Sequence, residues 1–316
     1  VKKQLEKDLD LVLRGDDFDE ILSPPLRALT SWTASLGLSS PRSALKNLLL
    51  GQVQNVTTFG VKKYTTAMFK IMTDEKFYDA VYRRATKVGA LDAGQQLVET
   101  VGVARTGEGV TGAVQRGLTK GMQVAEQRNR LYAVASSQVA ADDALKALAD
   151  KTDNVLVKLK KPEARRLLED VFQVDGWEEA VKRGSFTEDQ LSQIYFRGHT
   201  LTQGLADPSA LPRFMSKAYF KPFTLFYRIA YRITENVYQN AYKPLVQNGE
   251  FGPMLRYVAA SAGAGAAIQN LYYLVHNSDK DKFVSAPEEF WNYFVAGEGM
   301  GIFSALADTN RPVAQT

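Results

Sequence analysis

The sequence predicts an all-α protein of about ten helices, with long helices in its C-terminal half and little or no sheet. Apolar residues recur at spacings of three and four over most of the 316 residues, which is the period of a helix. The alternation of apolar and polar residues that marks a strand is hard to find. No solenoid-length repeat interrupts this pattern, so the prediction is a multi-helix fold without internal symmetry.

In the N-terminal half, Leu5, Leu9 and Leu13 predict a short opening helix. Ser40 and Pro41 are typical of a helix N-cap and first turn, and a long helix is expected over about residues 42–72, bent at Gly51 or Gly60. Asp74, after Thr73, is expected to cap the next helix.

The middle of the chain contains a glycine-rich segment, residues 102–121, that predicts a loop or flexible joint. It includes a G-x-G-x-x-G at residues 107–112, but the βαβ pattern that nucleotide binding requires is absent around it. Helical periodicity returns over residues 122–148, and the polar, basic stretch 151–162 suggests a boundary. We therefore predict an N-terminal helical region, 1–150, and a C-terminal helical region, 151–316.

The C-terminal region begins with short helices, one of them opened by a capping box between Thr187 and Gln190. Two long helical stretches follow, over about residues 213–246 and 253–276. Acidic pairs such as Glu178 and Glu179 stand where the first turn of a helix favours negative charge.

Composition excludes several kinds of chemistry. The absence of cysteine excludes a disulfide framework, a zinc–thiolate site, an iron–sulfur cluster and a cysteine nucleophile. His199 and His276 lack partners at metal-ligand or catalytic spacing, and we expect each at a helix end or partly exposed. No metal, cofactor or small-molecule substrate is expected, and the sequence predicts a protein that is not an enzyme. A hydrolase built on two carboxylates is the less favoured alternative, since such pairs meet only in the folded chain.

The segment 212–246 combines basic and aromatic residues in one helical pattern. On a helical wheel the basic residues fall on one side and the aromatic residues on the other. Such a helix is suited to packing in a protein core, to a membrane interface, or to stacking on single-stranded nucleic acid. The candidate membrane- or partner-binding residues are Arg213, Lys217, Lys221, Phe223, Phe226, Tyr227, Arg228, Tyr231 and Arg232.

The next stretch, 254–275, is long enough to span a bilayer but contains Arg256, Gln269 and Asn270, which makes it a poor constitutive span. Small residues recur at Ala259, Gly263 and Ala267, the spacing that allows close helix packing. A tightly packed soluble helix is the favoured interpretation.

A basic cluster surrounds Pro162. It is expected to be a solvated surface, with binding of phosphate or of an acidic partner as the alternative. The candidate anion-binding residues are Lys158, Lys160, Lys161, Arg165 and Arg166.

Three stretches together resemble the terminal region of the very large multidomain virion proteins of bacteriophages, sometimes called large polyvalent proteins. The first is the run from Leu38 to Leu48, similar to their "SP…ALRN" element. The second is the run from Val124 to Arg130, similar to an "E…NR" helix. The third runs from Leu211 through Phe226 and continues through a glycine–alanine helix to the region of Trp291 and the segment 297–303.

This resemblance implies an internal, or ejection, protein that is packaged in the virion interior and reaches the host cell envelope with the genome. Its expected partners are other copies of itself and other virion proteins, with the host membrane and DNA as further candidates. The function predicted from the sequence is thus structural and non-catalytic, with oligomerisation and genome delivery as its two elements. A soluble DNA-contacting packing protein is the main alternative.

Overall fold

The computed structural model describes residues 41–91, 110–152, 154–203, 234–275 and 294 of the chain. Over these residues the protein is all-α: nine α-helices and two short π-helical segments, with no strand. The predicted fold class is confirmed. The opening helix at residues 5–13 and the glycine–phenylalanine segment at 297–303 lie outside the described residues.

The first three helices are α1 (Pro41–Phe59), α2 (Val61–Thr73) and α3 (Glu75–Lys87). Of the two bends considered for the long helix, the chain breaks at Gly60, whose φ of 87° favours glycine, and continues unbroken through Gly51. Asp74 caps α3 as predicted, and its side chain accepts a hydrogen bond of 3.0 Å from the backbone N–H of Phe77.

The central element is the 40-residue helix α4 (Val110–Ala149), about 60 Å long. It packs against α1 and α2 and also against α5 and α7, whose bounds follow. Alanine forms helices readily and has no bulk, so an alanine-rich stretch lets several neighbours approach one helix closely. Between residues 133 and 144 of α4 the buried alanines are Ala133, Ala135, Ala140, Ala141 and Ala144.

The predicted loop at 102–121 is wrong over residues 110–121, which belong to α4. Each glycine weakens a helix by about 1 kcal/mol, but extending a helix that is already formed adds one hydrogen bond for each residue fixed. Gly121 is exposed, and a Cβ added there would make an ordinary contact, 3.7 Å from the Cβ of Ala44 on α1. Residues 102–109 lie outside the described residues.

The remaining helices complete the description. They are α5 (Val155–Arg166), the segment π1 (Leu167–Val171), α6 (Trp177–Arg183), α7 (Glu188–Gln203), the segment π2 (Tyr238–Tyr242), α8 (Lys243–Asn248) and α9 (Phe251–Val275). The capping box of α7 is confirmed: the Thr187 N–H donates to the Gln190 side chain over 3.0 Å, and the Gln190 N–H donates to the Thr187 hydroxyl over 3.2 Å.

The main hydrophobic core draws residues from both predicted regions of the chain. Phe59 of α1 stacks on Phe172, with ring centroids 6.0 Å apart, and both rings are fully buried. Ile194 and Tyr195 of α7 belong to the same cluster. A smaller cluster joins Val53 to α9. The division of the chain at residue 150 stays a prediction.

Candidate functional site: a basic groove and its surroundings

A groove of about 780 Å³ lies along α5 and π1, with the turn between α8 and α9 as its opposite wall. Seven of its lining residues follow one another at helical spacing on α5 and π1, so one face of this helix forms one wall. The lining residues are Leu148, Lys158, Lys161, Pro162, Arg165, Arg166, Glu169, Asp170, Asn248 and Glu250.

Four of the five predicted anion-binding residues line this groove: Lys158, Lys161, Arg165 and Arg166. Lys160 is exposed and does not line it. Residues three and four apart share one face of a helix, which is why these four meet and Lys160 does not. The helix continues through Pro162, which has no N–H to donate to the carbonyl four residues back.

The charges in the groove are unevenly distributed. Its lining carries four cations and three carboxylates, a net charge of +1 from 4 − 3. Arg166 forms an ion pair with Glu250, whose Oε2 lies 3.1 Å from its Nε. The guanidinium of Arg165 lies 6.0 Å from the ring centroid of Trp177, a cation–π distance. Lys158, Lys161 and Arg165 therefore form the positive part of the groove, and Glu169 and Asp170 its acidic end.

The opposite side of α5 is attached to two other helices through Glu163. Its Oε1 lies 3.4 Å from Lys63 Nζ on α2 and 3.9 Å from Arg256 Nη1 on α9. Burial raises the pKa of the Glu163 carboxyl, but Lys63 and Arg256 lower it by more, so the pKa lies below its ordinary value. Arg256 also donates from Nε to the carbonyl of Thr57 over 3.3 Å. These contacts hold the groove-bearing helix in place.

A second polar cluster lies partly buried between α1 and α4, with Asn129 and Arg130 fully covered. We call it the α1–α4 seam, and it consists of Asn47, Gln52, Glu126, Asn129 and Arg130. Asn47 Nδ2 donates to Glu126 Oε2 over 3.1 Å, and Asn129 Nδ2 donates to the Asn47 carbonyl over 2.8 Å. Gln52 Nε2 donates to Asn129 Oδ1. Arg130 Nε donates to Glu126 Oε1 over 2.9 Å, with side chains only 4% and 14% exposed. The seam fixes the register of the two helices.

His199 is fully buried on α7, so the expectation of a helix-terminal or partly exposed histidine is wrong. The reason is the close approach of α7 to α4 beside it, where Gly198 lies against Ser137. Its Nδ1 lies 3.2 Å from the Tyr195 carbonyl, and among the described residues Nε2 has no hydrogen-bond partner. Burial lowers the pKa of His199 to about 4, so the imidazole is neutral near pH 7. His276 lies outside the described residues.

The three predicted helix-packing residues, Ala259, Gly263 and Ala267, lie on α9 and are exposed. An added Cβ at Gly263 would meet open space. The other side of α9 is buried through Tyr257 and Ser261 and packs against α1. None of the described helices combines the length and the apolar character needed to cross a membrane. At 25 residues α9 is long enough, so its composition is what falls short.

The nine candidate membrane- or partner-binding residues all lie between positions 213 and 232, outside the described residues. Their predicted role therefore stays a prediction. Within the described ranges, no group of three or more histidine, aspartate or glutamate side chains is arranged to hold a metal ion. The groove is lined by three carboxylates, of which Glu250 is paired with Arg166, and the two-carboxylate hydrolase stays an alternative.

Sequence reasoning missed the far wall of the groove, because Asn248 and Glu250 are more than 80 residues from Arg166 in the chain and no local pattern connects them. It also missed the pairing within the α1–α4 seam. The amide-rich spacing of Asn47, Gln52 and Asn55 on a predicted helix was a usable signal of a buried polar face.

Comparisons of the chain with protein-family models, with curated proteins and with solved structures find no match.

Proposed function

We propose that this chain is a structural, non-catalytic internal (ejection) protein of a bacteriophage particle, which oligomerises and helps to deliver the genome through the host envelope. The observation that carries the proposal is the α1–α4 seam. Asn47 belongs to the first stretch that resembles large phage virion proteins, and Glu126, Asn129 and Arg130 belong to the second.

These two stretches are 79 residues apart at the bond between Asn47 and Glu126, yet their polar residues bond to one another across a partly buried helix contact. A chance resemblance in two short motifs gives no reason for their residues to meet. A shared fold does, because buried polar groups must be matched by partners of the right chemistry. The contact between the motifs thus supports the phage resemblance.

The use of the buried polar side chains supports a structural role over a catalytic one. Asn129 bonds to the Asn47 carbonyl on α1, and Arg130 bonds to Glu126 on its own helix. Gln190 is used in the cap of α7 and bonds to the carbonyls of Asp175 and Gly176. Such networks rigidify a fold and specify how its helices pack. Within the described residues, polar chemistry is therefore concentrated in helix packing and in the groove.

Oligomerisation is proposed to use the exposed face of α9, which carries Ala259, Gly263 and Ala267. Small residues four apart allow a second helix to approach closely. Because the opposite face of α9 is already covered by α1, the small-residue face is the side on which a second copy of this chain would add.

The test is the mass of the purified chain by light scattering over a range of concentrations. The wild type is expected to be oligomeric. The double variant Ala259→Leu/Gly263→Leu should shift it to monomer, because leucine fits the open space of one chain but blocks close approach of two. Ala149→Leu, at an exposed position on α4, is the matched control and should leave the mass unchanged. A wild type that is monomeric at all concentrations would remove oligomerisation from the proposal.

One observation favours the second candidate, a soluble DNA-contacting packing protein: the groove gathers Lys158, Lys161 and Arg165 on one wall. Cations that neutralise phosphates release counterions, so the affinity for DNA would fall with salt at a logarithmic slope of about −3 for three contacts. Binding of the chain to a labelled DNA duplex at several salt concentrations measures this slope.

A further inference from the structure

Exposed apolar side chains concentrate on α5 and on the chain from π2 to the start of α9. Of the 13 large hydrophobic residues that are exposed within the described part of the protein, seven lie on these elements. Their exposed fractions run from 47% to 71%. The seven are Val155, Leu159, Tyr238, Tyr242, Val246, Phe251 and Leu255. Single exposed hydrophobic residues are ordinary, but a concentration of them indicates a surface that meets an apolar partner.

On α5 the apolar residues form a ridge between cations. Val155 and Leu159 are one helical turn apart and are about 70% exposed, so they share the outer face of the helix. Lys158, Lys160, Lys161 and Arg165 surround them, and the exposed members of this set carry long aliphatic stems that end in charge. Aliphatic residues on the outer face of a basic helix are typical of helices that lie in a membrane interface.

The opposite wall of the groove repeats this combination. Tyr238 and Tyr242 stack with their ring centroids 5.6 Å apart, and both remain about half exposed. Val246 follows one turn later, and Phe251 and Leu255 follow the turn that contributes Asn248 and Glu250 to the groove. Tyrosine rings with a polar tip are favoured at the level of lipid headgroups. The two apolar groups are thus connected through one groove, whose walls touch where Arg166 pairs with Glu250.

The charges of the groove distinguish among partners. Arg166 pairs with Glu250, and Lys158, Lys161 and Arg165 also line the groove, with Glu169 and Asp170 at its acidic end. This charge pattern complements scattered phosphate groups better than a long, uniform polyanion. Four of the seven exposed residues are aliphatic, and aliphatic side chains cannot pair with phosphates, whereas a lipid interface buries them. Together these features favour a lipid surface over nucleic acid.

We infer that α5 and the π2–α9 wall form a surface that lies on an anionic lipid bilayer, with the apolar side chains in the interface and Lys158, Lys161 and Arg165 on the headgroup phosphates. Binding of this kind is peripheral and needs no membrane-crossing helix. Membrane binding here deepens the proposed envelope step, but it stands or falls independently of the virion proposal, because a lipid-binding chain need not come from a particle.

The experiment is flotation of the full chain with phosphatidylcholine vesicles, with and without phosphatidylglycerol. Two variants separate the two contributions. Val155→Gln/Leu159→Gln removes the aliphatic ridge and keeps every charge. Lys158→Gln/Lys161→Gln/Arg165→Gln removes the cations and keeps the ridge. The matched controls are Val124→Gln/Met72→Gln and Lys76→Gln/Arg83→Gln/Lys87→Gln, which change exposed residues of the same types on other helices. Circular dichroism confirms that each variant is folded.

The wild type and both controls are expected to float with the anionic vesicles and much less with neutral ones. Loss of the ridge should weaken partitioning by about tenfold, since it removes two aliphatic side chains that the lipid interface would bury in part. Loss of three cations should weaken it by about tenfold to a hundredfold, because each is worth about a fivefold gain near an anionic surface.

Three results would overturn the inference. The first is a folded wild type that ignores anionic vesicles. The second is a ridge variant that floats as well as the wild type, combined with a cation variant that binds neither vesicles nor a labelled DNA duplex. That combination would assign the groove to nucleic acid. The third is a ridge variant that changes the mass of the chain without lipid, which would assign the ridge to contacts between copies. An unchanged oligomer with lost flotation leaves the proposed oligomerisation intact, so the two proposals fail separately.

Discussion

Replacing Glu126 by alanine is expected to destabilise the protein by about 3–5 kcal/mol, the loss that follows when one partner of a buried ion pair is removed. Arg130 would keep its charge with only 4% of its side chain exposed, and Asn47 would lose its acceptor. Arg130 Nη1 also donates to the Ala90 carbonyl, but at 3.4 Å this hydrogen bond is long and does not replace a carboxylate. Urea unfolding followed by circular dichroism at 222 nm measures the effect.

The chain supplies a matched control at Asp79 and Arg83. Like Glu126 and Arg130, the two residues are four positions apart on one helix, and their charged groups lie 3.5 Å apart. Their side chains, however, are 50% and 80% exposed. Asp79→Ala should therefore change stability by less than about 0.5 kcal/mol. The paired variant Glu126→Leu/Arg130→Met should recover much of the loss, because no buried charge remains. Equal effects of Glu126→Ala and Asp79→Ala would contradict a buried seam.

Replacing Gly198 by alanine is expected to destabilise the protein by about 1–3 kcal/mol, as overpacking of a helix contact does. An added Cβ would lie 2.6 Å from the Cβ of Ser137 and closer still to its hydroxyl oxygen, so α4 and α7 would have to separate. In an open position the same change should instead stabilise a helix slightly, because alanine forms helices better than glycine. The midpoint of thermal unfolding reports the difference.

Gly121→Ala is the control for this prediction, since its added Cβ makes only an ordinary contact, 3.7 Å from the Ala44 Cβ, and the unfolding temperature should stay level or rise. Ser137→Gly should restore room for the new methyl group, so the variants Gly198→Ala and Ser137→Gly should be strongly non-additive. A Gly198→Ala protein as stable as the wild type would mean that the two helices do not pack this closely.

Local signals carried most of the fold prediction. The caps at Asp74 and at Thr187 with Gln190 depend on bonds within three residues, so the sequence pattern was sufficient to place them. The break at Gly60 was one of two alternatives. Gly51 stays within the helix, and the packing of α1 against α4 explains why that position is a glycine: Asn129 leaves no room there for a side chain.

Contacts between distant residues could not be predicted in the same way. The burial of His199 depends on the glycine that brings α7 onto α4, and helical periodicity assigns no partner to that face. The groove was predictable on one wall, where Lys158, Lys161 and Arg165 share a helix face. Its other wall could not be predicted without the fold, since Glu250 and Arg166 are 84 residues apart in the chain.

The measurement that tests the proposed function most directly is the protein content of purified phage particles produced from the genome that carries this gene. Quantitative mass spectrometry should be applied to full particles, after external protease treatment, and to the same particles after genome release. An internal ejection protein is expected in several protected copies in full particles and to be depleted once the genome has left. Absence of the chain from full particles would contradict the proposal.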